Sequence, residues 1–277
     1  MRTRFAPSPT GRLHLGHVFS ALTAWEIAQE AGGEFLLRIE DADAARCRPE
    51  FEAAIRDDLA WLGIAWPEPA LRQSERLPRY AAMLERLTGM GLTYPCRCTR
   101  ADIRAALSAP QEGAAAVVYP GTCRGRLLAD VGASEAVRLN LDRALEQVTA
   151  EALGFEETGP AHRGWHRLDA GLLGGRIGDV VLGRKDIGTA AYHLAVVVDD
   201  AEQGVTDVVR GEDLWEATPL HRLLQALLGL PTPVYHHHRL IRDAEGRRLA
   251  KRDDARAIAR YREDGLTAAH VRALVGL

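Results

Sequence analysis

Arg4-Phe5-Ala6-Pro7-Ser8-Pro9-Thr10-Gly11, followed after a short gap by His14-Leu15-Gly16-His17, decides how the rest of the chain is read. Thr3 to Phe5 has the character of a short strand. The prolines at positions 7 and 9 end it, because proline has no N–H to give to a ladder. From Gly16 to Ala31 the apolar positions Val18, Leu22, Trp25, Ile27 and Ala28 recur at roughly helical spacing, and Gly32-Gly33 stop the pattern. A strand, a loop and a helix N-terminus in that order make an anion site, since unpaired backbone N–H groups and the positive end of the helix dipole both face the loop. Two imidazoles there can donate to phosphate oxygens, and Gly16 leaves room for a nucleotide base to lie close to the backbone. By itself, the tetrapeptide reads equally as two histidines that cap or pack at a helix start.

Outward from this stretch, Phe35-Leu36-Leu37-Arg38-Ile39 is an apolar run of strand length. Phe51, Ile55, Leu59 and Leu62 then line one face of a second helix closed at Gly63, and Leu77, Tyr80, Leu84 and Leu87 a third that ends at Gly89. Strands alternating with helices predict an α/β fold with a parallel sheet covered on both faces. The character changes near Tyr94, where a Cys-Arg-Cys turn, an Ala/Gly/Pro-rich stretch from Ala109 to Gly121 and short strand-like pieces such as Val137 to Leu141 replace the long periodic runs. We expect a smaller inserted α+β subdomain here. The sheet is expected to return with a strand at Leu194-Ala195-Val196-Val197-Val198, followed by Asp199-Asp200. A further strand is expected over Val205 to Arg210, then a helix over Thr218 to Leu228, a strand over Val234 to Ile241 and two short helical stretches. The expected division is therefore 1–94 and 179–240 for the two halves of the main domain, 95–178 for the insertion, and 241–277 for a loop and helical tail.

The chain has 277 residues, 47% of them hydrophobic and 26% charged, so a buried core is possible and disordered or fibrous classes are excluded. It has no apolar run long enough to span a bilayer and no secretory leader at its start, which leads us to expect a cytoplasmic protein with no membrane partner. The net charge of −3 means that a nucleic-acid partner needs a local basic face. Of the 35 basic residues only Lys185 and Lys251 are lysines. Lys251 lies in Gly246-Arg247-Arg248-Leu249-Ala250-Lys251-Arg252, a basic loop after a strand. Read alone this is a solvated surface loop, but a compact ammonium there also suits a migrating pyrophosphate.

Together the two signatures resemble those of class I aminoacyl-tRNA synthetases, written HIGH and KMSKS. Arg4 to Gly11, Arg38-Ile39-Glu40-Asp41 and Val209-Arg210-Gly211-Glu212-Asp213-Leu214 narrow the resemblance to the glutamyl branch. It implies a Rossmann-like catalytic domain carrying an insertion. It also implies ATP contacts from His14, Gly16, His17, Leu249 and Lys251, with His14, His17 and Lys251 stabilising charge and Mg²⁺ bridging the phosphates. Arginine replaces the first lysine of the second signature at Arg248, and Ala250 replaces its serine, removing a hydroxyl from the loop. For glutamate, the resemblance implies a pocket of Arg4, Phe5, Ala6, Pro7, Ser8, Glu40, Tyr192 and Arg210. In it the arginines serve as carboxylate forks, Glu40 as the ammonium partner and Tyr192 as a hydroxyl. Without the resemblance, Arg38 with Glu40 or Asp41 reads as an ordinary strand-edge ion pair.

Cys96-Arg97-Cys98 with Tyr119-Pro120-Gly121-Thr122-Cys123 supplies three thiols and a phenol, and a closed zinc site needs four donors. The residues leave His162, His166 and Tyr119 open as the fourth. The resemblance, to short glutamyl-branch paralogues, implies Tyr119, with one structural zinc held by Cys96, Cys98, Tyr119 and Cys123. Only 26 residues follow Lys251, so no anticodon-binding domain is expected. The resemblance then implies activation of L-glutamate by ATP without tRNA, followed by transfer to the queuosine base in the anticodon of tRNA(Asp). A monomer is expected. The alternatives are a truncated synthetase that charges a tRNA 3′ end, an inactive tRNA-binding paralogue, and another class I nucleotidyltransferase. The run His236-His237-His238 reads as core or surface histidines, because alternate residues of a strand face opposite ways. Cys47 reads as a free thiol, and Trp61 and Trp66 as packing residues.

Overall fold

In the computed structural model, residues 1–99, 102–103, 118–127, 135–149, 153–184, 190–242 and 256–277 are described. The opening stretch folds as read: β1 is Arg2–Phe5 and α1 is Leu15–Glu30. β2 (Glu34–Ile39), α2 (Pro49–Trp61), β3 (Leu71–Arg72), α3 (Leu77–Gly89) and β4 (Thr93–Cys96) follow. Then come β5 (Ala136–Leu139), α4 (Leu141–Glu146), β6 (Gly154–Glu157), β7 (Gly164–Arg167) and β8 (Val181–Gly183). The remainder is α5 (Tyr192–Glu202), β9 (Asp207–Gly211), α6 (Thr218–Leu228), β10 (Val234–His238), α7 (Ile258–Glu263) and α8 (Ala268–Val275). No helix among the described residues is long and apolar enough to cross a membrane.

β1, β2 and β3 form one parallel sheet. In a second, ordered β7-β6-β10-β9, β10 runs parallel to both β9 and β6, and β7 closes the edge antiparallel to β6. Two hydrogen bonds, from Thr206 N to the Arg2 carbonyl and from Arg2 N to Thr206 Oγ1, bring the start of β9 alongside β1. The catalytic-domain expectation of a parallel α/β sheet is thus met. β4, β5 and β8 make a separate antiparallel sheet.

Strand pairing cuts across the expected limits of the insertion. β6 and β7 lie within 95–178 yet pair in the β10/β9 sheet, whereas β8 lies beyond residue 178 and pairs with β5. A two-residue period gives a strand's faces but not its partner, so these memberships have no local signal. The second difference is Leu194–Val198, expected as a strand and found inside α5. Every residue from Leu194 to Asp200 is buried. A helix enclosed on all sides shows no amphipathic stripe, and a short Val-rich run of this kind cannot be told from a buried strand by periodicity.

Two apolar clusters fix the frame. One gathers Leu13, Val18, Leu22, Phe35, Leu37, Ile55 and Leu59 with Val209, Ile258 and Val271, so α1, α2, the β1–β3 sheet, β9 and the C-terminal helices share a core. Trp61 and Trp66 pack against it, as expected. The other joins Tyr80, Leu87, Leu139, Leu182, Leu194, Val197, Leu220 and Leu224. At about 25 cal/mol per Å² of buried apolar surface, such clusters hold the strand ends in place, and the cavity opens where those ends meet α1 and α5.

Candidate functional site

A cavity of about 400 Å³ is lined by Arg4, Phe5, Ala6, Ser8, Glu40, Tyr192 and Arg210, with Ser20, Val196, Val209, Gly211 and Leu214 completing the wall. Seven of the eight residues expected in the amino-acid pocket therefore meet, from β1, the loop after it, the end of β2, the start of α5 and β9. Pro7 is the exception. Its carbonyl accepts the Glu40 N–H at 3.0 Å, which ties the loop after β1 to the end of β2.

Arg4 and Arg210 of this wall, and Arg38 buried behind it, are held in contrasting ways. Arg4, 5% exposed, makes a two-pronged contact with Asp200, Nε to Oδ1 at 3.0 Å and Nη2 to Oδ2 at 3.3 Å, and Nη1 donates to the Val209 carbonyl. Arg38 is fully buried. It donates from Nη1 to Asp200 at 2.7 Å and lies 3.5 Å from Glu40. It is thus no strand-edge pair, and Asp41 is engaged elsewhere, by Arg72 and Ser74. Asp199 accepts from Gln73, Arg76 and Tyr80. Burial pushes the Asp200 carboxyl up, but the Arg4 and Arg38 guanidiniums more than reverse this, so it sits below the usual carboxylate range. Glu40 goes the other way, because burial outweighs the pull of Arg38 and Arg4.

Arg210, 4% exposed, has only neutral partners. Its Nε donates to His237 Nε2 and its Nη1 to His221 Nδ1, each at 3.0 Å. Its Nη2 donates to Thr218 Oγ1 at 2.7 Å and to the Leu214 carbonyl at 3.3 Å. Among the described residues no carboxylate forms an ion pair with it. His221 is pushed well below its ordinary value by burial and then by Arg210, and His193, 3.0 Å from His221, is pushed down to about 4 for the same reasons. Neutral imidazoles accept from the guanidinium without cancelling its charge. The sequence reading missed Asp199, Asp200, Glu157 and the histidines behind Arg210. Two adjacent acids directly after an apolar run were the available signal, since buried charges require partners.

At the N-terminus of α1 the signature histidines hold each other. His14 Nδ1 accepts from Gly16 N at 3.1 Å, His17 Nδ1 accepts from His14 N at 3.2 Å, and the rings lie 3.7 Å apart. This is a reciprocal cap. With both Nδ1 atoms accepting, each neutral ring carries its proton on Nε2. A Cβ at Gly16 would stand 3.0 Å from His14 Cε1 and 3.1 Å from its Nδ1, so a side chain there would press on the capping ring. Leu249 and Lys251, like Arg248 and Ala250, lie outside the described residues. The chain resumes at Arg256, and the Ala257 backbone bridges to His14.

The four expected metal donors converge. The sulfurs of Cys96, Cys98 and Cys123 lie within 4.8 Å of one another, and Tyr119 Oη is 3.4 Å from Cys96 Sγ and 3.6 Å from Cys98 Sγ. Cys98 and Cys123 Sγ are 3.5 Å apart, close to the edge of about 3.8 Å that a tetrahedron with zinc–sulfur bonds near 2.3 Å has. The donor set and its spacing therefore fit a tetrahedral metal. Burial opposes ionisation of Cys123, but hydrogen bonds from Tyr119, the Arg97 backbone and the other thiols bring it down to about 7. His162 and His166 are elsewhere: His162 stacks on Trp215 at 4.0 Å, and His166 bonds to the His162 carbonyl. Cys47 is a half-buried free thiol, as expected.

The family described as "tRNA synthetases class I (E and Q), catalytic domain" matches residues 1–277. The chain is 57% identical over 284 residues to a glutamyl-Q tRNA(Asp) synthetase of Rhodobacter capsulatus, covering all of both chains. It is 44% identical over 272 residues to the protein of that name from Nocardia farcinica, covering 98% of this chain and 82% of that one. A glutamate tRNA ligase structure from Elizabethkingia meningosepticum, in complex with its amino acid, superposes with a TM-score of 0.78 at 29% identity over the whole chain. The chain spans 60% of that ligase's length.

Proposed function

Since the chain belongs to the class I tRNA synthetases (E and Q), we propose that it activates L-glutamate with ATP, without tRNA, and transfers the glutamyl group to the queuosine base in the anticodon of tRNA(Asp). The observation that carries the glutamate assignment is the polarity of the cavity: among the described residues Arg210 has neutral partners only, and Glu40 is a half-buried carboxylate on the same wall. An amino acid with an extra carboxylate supplies the missing anion to Arg210 and an ammonium to Glu40, with the Tyr192 hydroxyl beside it. Glutamine offers Arg210 a neutral amide and leaves its charge without a counter-ion. The queuosine acceptor is supported by the names of the relatives at 57% and 44% identity.

In the reaction the α-carboxylate oxygen of glutamate forms a bond to the ATP α-phosphorus, and the bond from that phosphorus to the bridging oxygen breaks to release pyrophosphate. Substrate groups do the chemistry, so the chain's task is alignment and charge stabilisation. His14 and His17, with protons on Nε2, suit donation to phosphate oxygens at the start of α1. Lys251, with Leu249, is proposed to meet the phosphates from the segment preceding Ala257, whose backbone bridges to His14, and Mg²⁺ to enter bound to ATP. In the second step a queuosine hydroxyl oxygen bonds to the glutamyl carbonyl carbon, its proton passes to solvent, and the bond from that carbon to the phosphate oxygen breaks to release AMP. Cys96, Cys98, Tyr119 and Cys123 would hold one zinc ion, whose contribution is structural because all four positions are filled.

The test is glutamate-dependent ATP–pyrophosphate exchange in the absence of tRNA, followed by transfer of labelled glutamate to tRNA(Asp) with and without queuosine. Exchange with glutamate but not glutamine, and label only on the queuosine-containing tRNA, is the expected result. Label recovered on the 3′-terminal adenosine after nuclease digestion would instead mark a synthetase that charges the 3′ end.

A further inference from the structure

We propose that Glu157 and His237 are positioning residues for glutamate recognition: the buried Glu157 carboxylate fixes His237 as the Nδ1–H tautomer, and its Nε2 lone pair then holds the Arg210 guanidinium in the plane that meets a substrate carboxylate. The proposal rests on the cavity being the glutamate pocket.

The three side chains stand on neighbouring strands, Glu157 at the end of β6, His237 on β10 and Arg210 on β9, with His237 directly beside Arg210 in the parallel register. Glu157 and His237 are 0% and 1% exposed. Glu157 Oε2 lies 2.6 Å from His237 Nδ1, while Oε1 accepts the backbone N–H of His237 at 2.9 Å and of Gly159 at 2.6 Å. No room is left for the carboxylate to turn. A Cβ at residue 159 would meet the His237 carbonyl at 2.3 Å and Glu157 Oε1 at 2.6 Å.

Proton positions follow from the two ends of this chain of contacts. Arginine has only donors, so His237 Nε2, 3.0 Å from Arg210 Nε, must accept. An ionised carboxylate has only acceptors, so His237 Nδ1 must donate. Burial pushes Glu157 up, but the His237 ring and the His237 and Gly159 amides reverse this and bring it down to about 2. His237 is held below its ordinary value, chiefly by burial. The same logic runs on the other side of Arg210, where His221 Nδ1 accepts and its Nε2 donates to His193 Nδ1. Four of the five guanidinium hydrogens are thus directed at neutral acceptors, leaving one on Nη1. The charge stays available, and its direction is set from behind.

Glu157→Gln separates this role from packing, because the amide keeps the volume but presents N–H to His237 Nδ1. The imidazole proton then moves to Nε2 and opposes Arg210 Nε–H. In ATP–pyrophosphate exchange the glutamate KM should rise about tenfold while the ATP KM stays within about twofold. His237→Leu should raise the glutamate KM similarly, and His237→Gln, with N–H toward Glu157 and oxygen toward Arg210, should recover most of the loss. Nitrogen NMR of ¹⁵N-histidine-labelled wild-type protein reads the tautomer directly, and Nδ1–H is expected at His237. A wild-type His237 found as Nε2–H overturns the proposal whatever the activity. So does a Glu157→Gln protein with unchanged glutamate KM and a melting point within about 3 °C of wild type. A wild-type protein with no glutamate-dependent exchange sinks the functional reading instead, and the tautomer measurement still decides the relay.

Discussion

The two walls of the cavity bury the same side chain for different ends. On one, Arg4 shares Asp200 with Arg38, which is buried behind the wall with Glu40 and Asp199 close to it, so buried positive and negative charges are matched inside the protein. On the other, Arg210 rests on His221, His237, Thr218 and a carbonyl, which satisfy hydrogen bonds and leave the charge standing. The matched wall holds the strand ends of β1 and β2 to α5. The unmatched wall needs an anion from outside. Breaking a buried ion pair from one side is expensive because the other charge is stranded, whereas neutral acceptors lose only hydrogen bonds.

The largest expected effect follows at Asp200. Asp200→Asn leaves Arg4 and Arg38 short of a counter-charge and should destabilise the fold by about 3–5 kcal/mol. A thermal melt should show a fall of about 10 °C. Next comes Arg210→Gln, which should lower glutamate-dependent exchange at least about 100-fold but cost only about 1–2 kcal/mol of stability. Equal stability losses in the two variants would erase the distinction between the walls. Acid separates the walls as well. The unfolded histidines titrate near 6.5, above His193 at about 4 in the fold and above the lowered His221 and His237, so the unfolded state binds more protons between these values. Stability contributed by the histidine wall is therefore complete above pH 6.5 and lost as pH falls toward 4. Asp200 has its folded value below 3.8, so its contribution persists until the pH drops under about 4. Melting points across this range should fall in two stages, by several degrees in the first. The smallest effect concerns a third region: Tyr119→Phe should leave the cysteine cluster able to bind zinc about tenfold more weakly, measured by competition with a chelator, and leave the glutamate KM within about threefold.

The site was more legible than the packing behind it. Arg4, Glu40 and Arg210 stand in contiguous motifs, and each motif lies at a strand end. Asp200 was visible as a residue, but its place was not, because the run before it was read as a strand and is a helix. Glu157 and the His236–His238 run were legible only as an acid and as core or surface histidines. Alternation correctly separated the faces of His236 and His237, which bond to Thr158 and Glu157 respectively. The strand that would lie beside them could not be read from it. For the metal cluster the residues left three fourth donors open, and chain folding removed two by carrying His162 and His166 to Trp215.

By itself the sequence determined the strand–loop–helix entry, the parallel α/β class and the cysteine spacing, all set by neighbours within a few residues. The tertiary structure decided which buried arginine has a carboxylate counter-ion and which has neutral partners. That choice depends on which carboxylate or imidazole a distant strand or helix brings within hydrogen-bonding reach: Asp200 to Arg4 across 196 positions, and His237 to Arg210 across 27. Local pattern cannot encode contacts made only when β9 lies between β1 and β10.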